Sequence, residues 1–145
     1  MLPIEIRIGW IFRYAYLWDW QCRQGRDEGD KDRPCLALAI AATTEDGLQI
    51  VRALPITHTR PADAIEIPPA VKSMLKLDHE RSWIVLTESN IFAWPGPDLR
   101  PVDSQSGYFG PLPPKMFAEV RRQFVAIARG ETVASKPHAS VPRSD

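Results

Sequence analysis

The sequence predicts a mainly β fold with helices, organised as a small, partly closed β-barrel with a short inserted helix and a C-terminal amphipathic helix. Three observations carry that expectation. Apolar runs of four to nine residues recur between turn-forming clusters, as short strands do. The spacing switches to helical intervals only after paired prolines, at Pro68-Pro69 and again at Pro113-Pro114. A chain of 145 residues is the size of one ordinary domain, with room for a real core.

The elements follow in order. Trp10-Ile11-Phe12-Arg13-Tyr14 mixes aromatic and aliphatic residues and reads as a strand. Residues 18–32 turn polar and densely charged, with Gly25 and Gly29, and read as a mobile loop. Residues 35–42 form a continuous apolar run, expected to be a strand buried on both faces. Glu45-Asp46-Gly47 is a hairpin signal, because glycine takes the positive φ such turns require. Residues 48–56 return as the partner strand, and residues 64–67 alternate as a fourth, short one.

Val71, Met74 and Leu75 recur at helical spacing after Pro68-Pro69, where a proline in the first turn forfeits no hydrogen bond. Residues 82–86 and 91–94 are two further strands, with Glu88-Ser89-Asn90 expected as the turn between them. Residues 95–111 hold four prolines and three glycines and read as an irregular surface excursion. The second helix places Phe117, Val120, Phe124 and Ile127 on one face and stops at Gly130. Arg121, Arg122 and Arg129 would form its solvent face. Residues 1–130 are thus one barrel domain, and residues 131–145 a flexible C-terminal tail.

Bulk composition narrows the function. Hydrophobic content of 44% with 25% charged residues fits a globular protein. A formal net charge of zero argues against coating nucleic acid by bulk electrostatics, although it leaves room for a local basic groove. Arg7 and Glu5 interrupt any signal-peptide pattern, and no apolar run suits a membrane span, so a cytoplasmic protein without membrane contact is expected. Cys22 and Cys35 are too few for a disulfide framework or a zinc site. Asp78, His79 and Glu80 are adjacent in sequence and do not converge readily on one ion, so neither a metal nor a cofactor is expected.

Two polar strings flank apolar strands: Arg33-Pro34 just before residues 35–42, and Ile56-Thr57-His58-Thr59 at the end of the returning strand. If those strands pair, arginine and threonine meet at one end of a sheet. Arg33-Pro34 after a glycine-bearing loop containing Glu28, followed by a strand ending in Ile56-Thr57, a helix-bearing segment, the serine-started strand at Ser82 and a C-terminal helix resembles the MazF/PemK family of toxin endoribonucleases. The resemblance covers residues 9–129 in order and spacing.

It implies an SH3-like barrel of the Kid/CcdB type, working as a homodimer that cleaves single-stranded RNA without metal and is neutralised by a small antitoxin protein. By family position, Arg33 and Thr57 would be catalytic. Arginine presents a planar, charged fork that matches phosphate oxygens, and a threonine hydroxyl can donate to a non-bridging oxygen. Glu28 is a candidate base, or one more solvated charge in its loop. His58 and Thr59 would contact substrate, with Glu88 and Asn90 bordering the site from a turn. Trp18 and Trp20 either stack on unpaired bases, anchor the loop or receive a protein partner; Trp20 is the one assigned to substrate. The competing class is a non-catalytic barrel that acts by binding protein, as the gyrase-poisoning relatives of that fold do.

Overall fold

The computed structural model describes residues 5–27, 29, 31–103, 106–131 and 138–143. Among them the chain is mainly β, with nine strands joined in one sheet and three helices. The strands are β1 (Trp10–Tyr14), β2 (Arg33–Thr43), β3 (Gln49–Thr57), β4 (Ala64–Glu66), β5 (Trp83–Val85), β6 (Glu88–Trp94), β7 (Leu99–Arg100), β8 (Tyr108–Pro111) and β9 (Ala139–Pro142). The helices are α1 (Asp19–Arg23), α2 (Pro69–Met74) and α3 (Pro114–Ala128).

The β2–β3 hairpin is the spine of the sheet. Its antiparallel ladder runs from Cys35 opposite Pro55 to Thr43 opposite Gln49, with two register shifts on the way. β1 pairs with β2 on one side, and β6 and β5 both pair with β3 on the other. Side chains alternate along β2, so Leu36 and Leu38 enter one cluster while Cys35 and Ala37 enter a second on the opposite face. That explains the uninterrupted apolar run: both faces of the strand are covered.

The first face is aliphatic and takes α3, whose Val120, Phe124 and Ile127 join Ile11, Leu36 and Leu54. The helix begins after Pro113 and ends in paired bonds, Gly130 N–H to Ile127 O at 3.1 Å and Glu131 N–H to Ala126 O at 2.8 Å, which satisfy its last carbonyls. The second face is aromatic. Tyr14 and Phe92 stack with centroids 4.5 Å apart, and Phe12 meets Trp94 edge-on at 5.3 Å. These rings sit on β1 and β6, which β2 and β3 separate in the sheet. Three strand spacings on a flat sheet would span about 14 Å. The sheet therefore curls strongly, and the small residues Cys35, Ala37 and Ala53 on the middle strands leave space for the rings to meet. No strand pairing among the described residues closes the sheet on itself.

Four local expectations change. The charged loop of residues 18–32 contains α1, whose entry is fixed by Gln21: its Oε1 accepts the Trp18 N–H at 3.0 Å. Glu88, Ser89 and Asn90 are not a turn; they open β6 and are all buried. Their turn-forming side chains are consumed by tertiary bonds instead. The excursion at 95–111 contributes the short strands β7 and β8, both paired with β1.

The tail expected to fray supplies β9, which pairs in parallel with β6. Beyond it, the side chain of Arg143 is 2% exposed. It donates to Ala15 O at 2.8 Å and to Tyr14 Oη and Asn90 Oδ1 at 3.2 Å, and it forms an ion pair with Asp98. The chain thus returns to bridge the ends of β1 and β6 through side-chain bonds. No helix of the described residues is long and apolar enough to cross a membrane.

Candidate functional site

An open cleft of about 640 Å³ lies at one end of the β2–β3 ladder. Its position follows from register. Cys35 faces Pro55 in the ladder, and two residues further toward the open end the same register sets Arg33 opposite Thr57. Both side chains line the cleft, joined by His58, Thr59, Glu88 and Trp20. Six of the eight residues assigned to a site from sequence therefore share one concavity. Asn90 does not: it is fully buried beneath it, accepting from Leu17 N–H at 2.9 Å and donating to Leu17 O at 2.7 Å. Glu28 lies outside the described residues.

Arg33 is half-buried. Its guanidinium lies over the Trp18 ring, 4.8 Å from the centroid, and donates to Ile56 O at 3.4 Å. Its Nε is buried and has no hydrogen-bond partner among the described residues. Burial pulls the Arg33 pKa below its ordinary value, while the nearby Cys35, Tyr16 and Glu88 oppose that shift. An arginine remains a cation throughout the physiological range, so the cleft wall carries a fixed positive charge.

Glu88 anchors the opposite wall. Its Oε1 accepts from Tyr16 Oη–H at 3.1 Å and from Asp19 N–H at 3.0 Å, tying the start of α1 to the start of β6. The acidic side chain at the helix start also favours the α1 terminus electrostatically. Burial, reinforced by the Glu88 charge, pushes the Tyr16 phenol well above its usual value and keeps it a donor. Glu88 thus holds the tryptophan-bearing segment in place. Trp20, carried by α1, is 52% exposed at the rim.

The third wall is polar. Thr57 Oγ1 accepts the Thr59 N–H at 3.3 Å, which turns the chain back over the strand end and leaves the hydroxyl proton to donate elsewhere. His58 is gripped from both sides, Nε2 at 2.6 Å from Asp78 and Nδ1 at 3.3 Å from Glu80. Asp78 also binds Lys72 Nζ at 2.5 Å, and Lys72 is itself buried, bonded to Glu80 O and to Ser82 Oγ at 2.6 Å. Burial would raise the Asp78 carboxyl, but the hydrogen bonds and charges of Lys72 and His58 outweigh it and hold Asp78 below the usual carboxylate range. His58 is therefore a braced part of the wall, fixed by residues that follow α2.

The network around Lys72 was not legible from sequence, where nothing marks the lysine of this short helix as buried. Its signal, if any, was the acid-rich stretch Asp78 to Glu80 just beyond a helix too short to separate them. His79 is exposed beside this network, without a part in it. Among the described residues no group of three or more His, Cys, Asp or Glu side chains is placed to hold a metal ion. The arrangement offers a fixed cation, a hydroxyl donor, an aromatic rim and a carboxylate wall: the means to grip an anionic ligand that carries flat rings. No protein-family model matches the chain, and no curated protein or solved structure matches it either.

Proposed function

We propose that this chain is the toxin of a type II toxin–antitoxin system, a metal-independent, sequence-specific endoribonuclease that cleaves single-stranded messenger RNA. On this reading the curled sheet is an SH3-like barrel of the Kid/CcdB type, the working unit is a cytoplasmic homodimer, and a small antitoxin blocks the cleft. One observation carries the proposal. Arg33 and Thr57 line the same open cleft, beneath an exposed tryptophan.

The reaction would be attack of a ribose 2′-oxygen on the adjacent phosphorus. The bond from O2′ to phosphorus forms and the bond from phosphorus to O5′ breaks, leaving a 2′,3′-cyclic phosphate and a 5′-hydroxyl. Arg33 would neutralise the charge that grows on the non-bridging oxygens, where a preorganised cation held out of bulk water acts most strongly. Thr57 would donate its hydroxyl to one of those oxygens. The 2′-proton passes to a base, for which Glu28 is proposed, and the leaving O5′ gains a proton. Trp20 would stack on an unpaired base, which RNA recognition of single strands commonly uses.

The test incubates purified protein with single-stranded RNAs of varied sequence in excess EDTA, beside Arg33→Ala and Thr57→Ala. The expected result is cleavage to cyclic phosphate ends, with each variant at least about a hundredfold slower. Failure to cut any RNA would sink the assignment and leave the protein-binding class, which the exposed Trp20 also suits. Activity abolished by EDTA would refute the chemistry.

A further inference from the structure

Beside the cleft lies a second hollow of about 210 Å³, and the two share Lys31, Arg33 and His58 as lining. These three basic side chains form a ridge between two differently built depressions. The cleft presents Trp18 and Trp20. The smaller hollow presents Pro34, Ile56 and Leu77, with Asp32 at its edge. Arg33 belongs to both: it lies over the Trp18 ring on one side and donates to Ile56 O on the other. The smaller hollow falls below the roughly 300–1,000 Å³ of sites for drug-sized ligands, so it suits a single ring system.

We propose that the ligand is a dinucleotide step of single-stranded RNA that straddles this ridge. Its phosphate rests on Arg33 and Lys31, one base stacks in the tryptophan-lined cleft, and the neighbouring base enters the smaller hollow. The proposal takes RNA as the ligand from the nuclease reading; the two-sided footprint comes from the hollows themselves. Pro34, Ile56 and Leu77 supply apolar walls without aromatic stacking.

The polar chemistry of the smaller hollow selects the base. Lys72 Nζ and Ser82 Oγ are engaged with each other, and Asp78 is engaged by Lys72 and His58. Asp32 is half-exposed and pairs, among the described residues, only with Arg100 Nε at 3.4 Å, a loose surface pair. Its carboxylate is therefore an acceptor for an exocyclic amino group, as acidic side chains accept from cytosine N4. Small size and an acceptor together favour cytosine over uracil in that position.

The experiment measures binding by fluorescence anisotropy competition, using 2′-O-methyl nucleotides that cannot be cleaved. The probes are cytidine 3′-monophosphate in 2′-O-methyl form and the four 2′-O-methyl dinucleotides made from cytosine and uracil. A dinucleotide should bind at least about tenfold tighter than the mononucleotide, with about a tenfold preference for cytosine at one of its two positions. Leu77→Trp, which fills the smaller hollow, should reduce dinucleotide affinity to the mononucleotide level. Asp32→Ala, at the exposed edge, should abolish the cytosine preference among the dinucleotides; Trp20→Ala should weaken every probe. Equal binding of mono- and dinucleotides, or a cytosine preference that survives both Leu77→Trp and Asp32→Ala, would overturn the proposal. The predicted binding pattern without cleavage of native RNA would refute the nuclease and support the footprint. Cleavage whose base preference ignores Leu77→Trp and Asp32→Ala would do the reverse.

Discussion

Removing the guanidinium of Arg143 should be among the most damaging single changes in the protein. Arg143→Ala deletes the partner of Ala15 O, Tyr14 Oη and Asn90 Oδ1 and the ion pair to Asp98, in a place where the arginine side chain is 2% exposed. Breaking a buried, hydrogen-bonded ion pair by deleting one partner costs about 3–5 kcal/mol. Asp98 is 15% exposed and has Arg100 3.9 Å away as a second cation, so the lower half of that range applies. With a urea dependence of about 2 kcal/mol per molar for a domain of this size, the midpoint should fall by roughly 1.5–2 M. Tryptophan fluorescence in a urea titration reads this directly. Arg143→Lys keeps the charge but loses the fork and should fall in between. A double-mutant cycle with Asp98→Asn should return a coupling of at least about 1 kcal/mol. An Arg143→Ala midpoint within about 0.25 M of wild type, about 0.5 kcal/mol at that slope, would refute the view that β9 completes the core.

Three further outcomes follow from local geometry. A Cβ at Gly29 would lie 1.9 Å from Tyr16 O, so Gly29→Ala must displace either its loop or the Tyr16–Leu17 backbone that leads to Trp18; nucleotide binding should weaken, and unchanged binding would show that this contact does not position the cleft. Asp78 titrates below the usual carboxylate range when folded, so it contributes stability above its unfolded value that is lost as pH falls through the folded one; below about pH 4 wild type should lose stability along a segment that Asp78→Asn lacks, and identical acid limbs would refute the network. Burial pushes the Cys35 thiol far up and leaves it fully enclosed, so iodoacetamide at pH 8 should spare it in native protein and modify it in urea; native labelling of Cys35, read by peptide mass, would contradict the packing.

How much of this could be read in advance depended on whether the deciding contact was local. The β2–β3 hairpin was legible because two apolar runs flank Glu45-Asp46-Gly47, and its register alone brings Arg33 across from Thr57. Helix α3 was legible because its stripe of Val120, Phe124 and Ile127 repeats at helical intervals. Asn90 misled because asparagine favours turns when its amide has only local partners. Here both ends of that amide bond Leu17, more than seventy residues away in the chain. The same reason hid β9, whose Ala-Ser-Val-Pro is too short for its alternation to stand out and is held by a parallel partner and by Arg143. Helix α1 was hidden by its charges and brevity, since its entry depends on Gln21 and Glu88 rather than on propensity.

The placement of β9 also bears on how the protein is made. Of all the strands in the sheet it is synthesised last, yet Arg143 must reach Tyr14 across 129 positions of chain. Chains emerge from the ribosome N-terminus first, and contacts between distant positions wait for both partners. Until residues 139–143 arrive, the Ala15 carbonyl lacks its guanidinium and the backbone running from there to Trp18 lacks one of its supports. A half-made chain therefore holds Arg33 and Thr57 without a finished wall beside them.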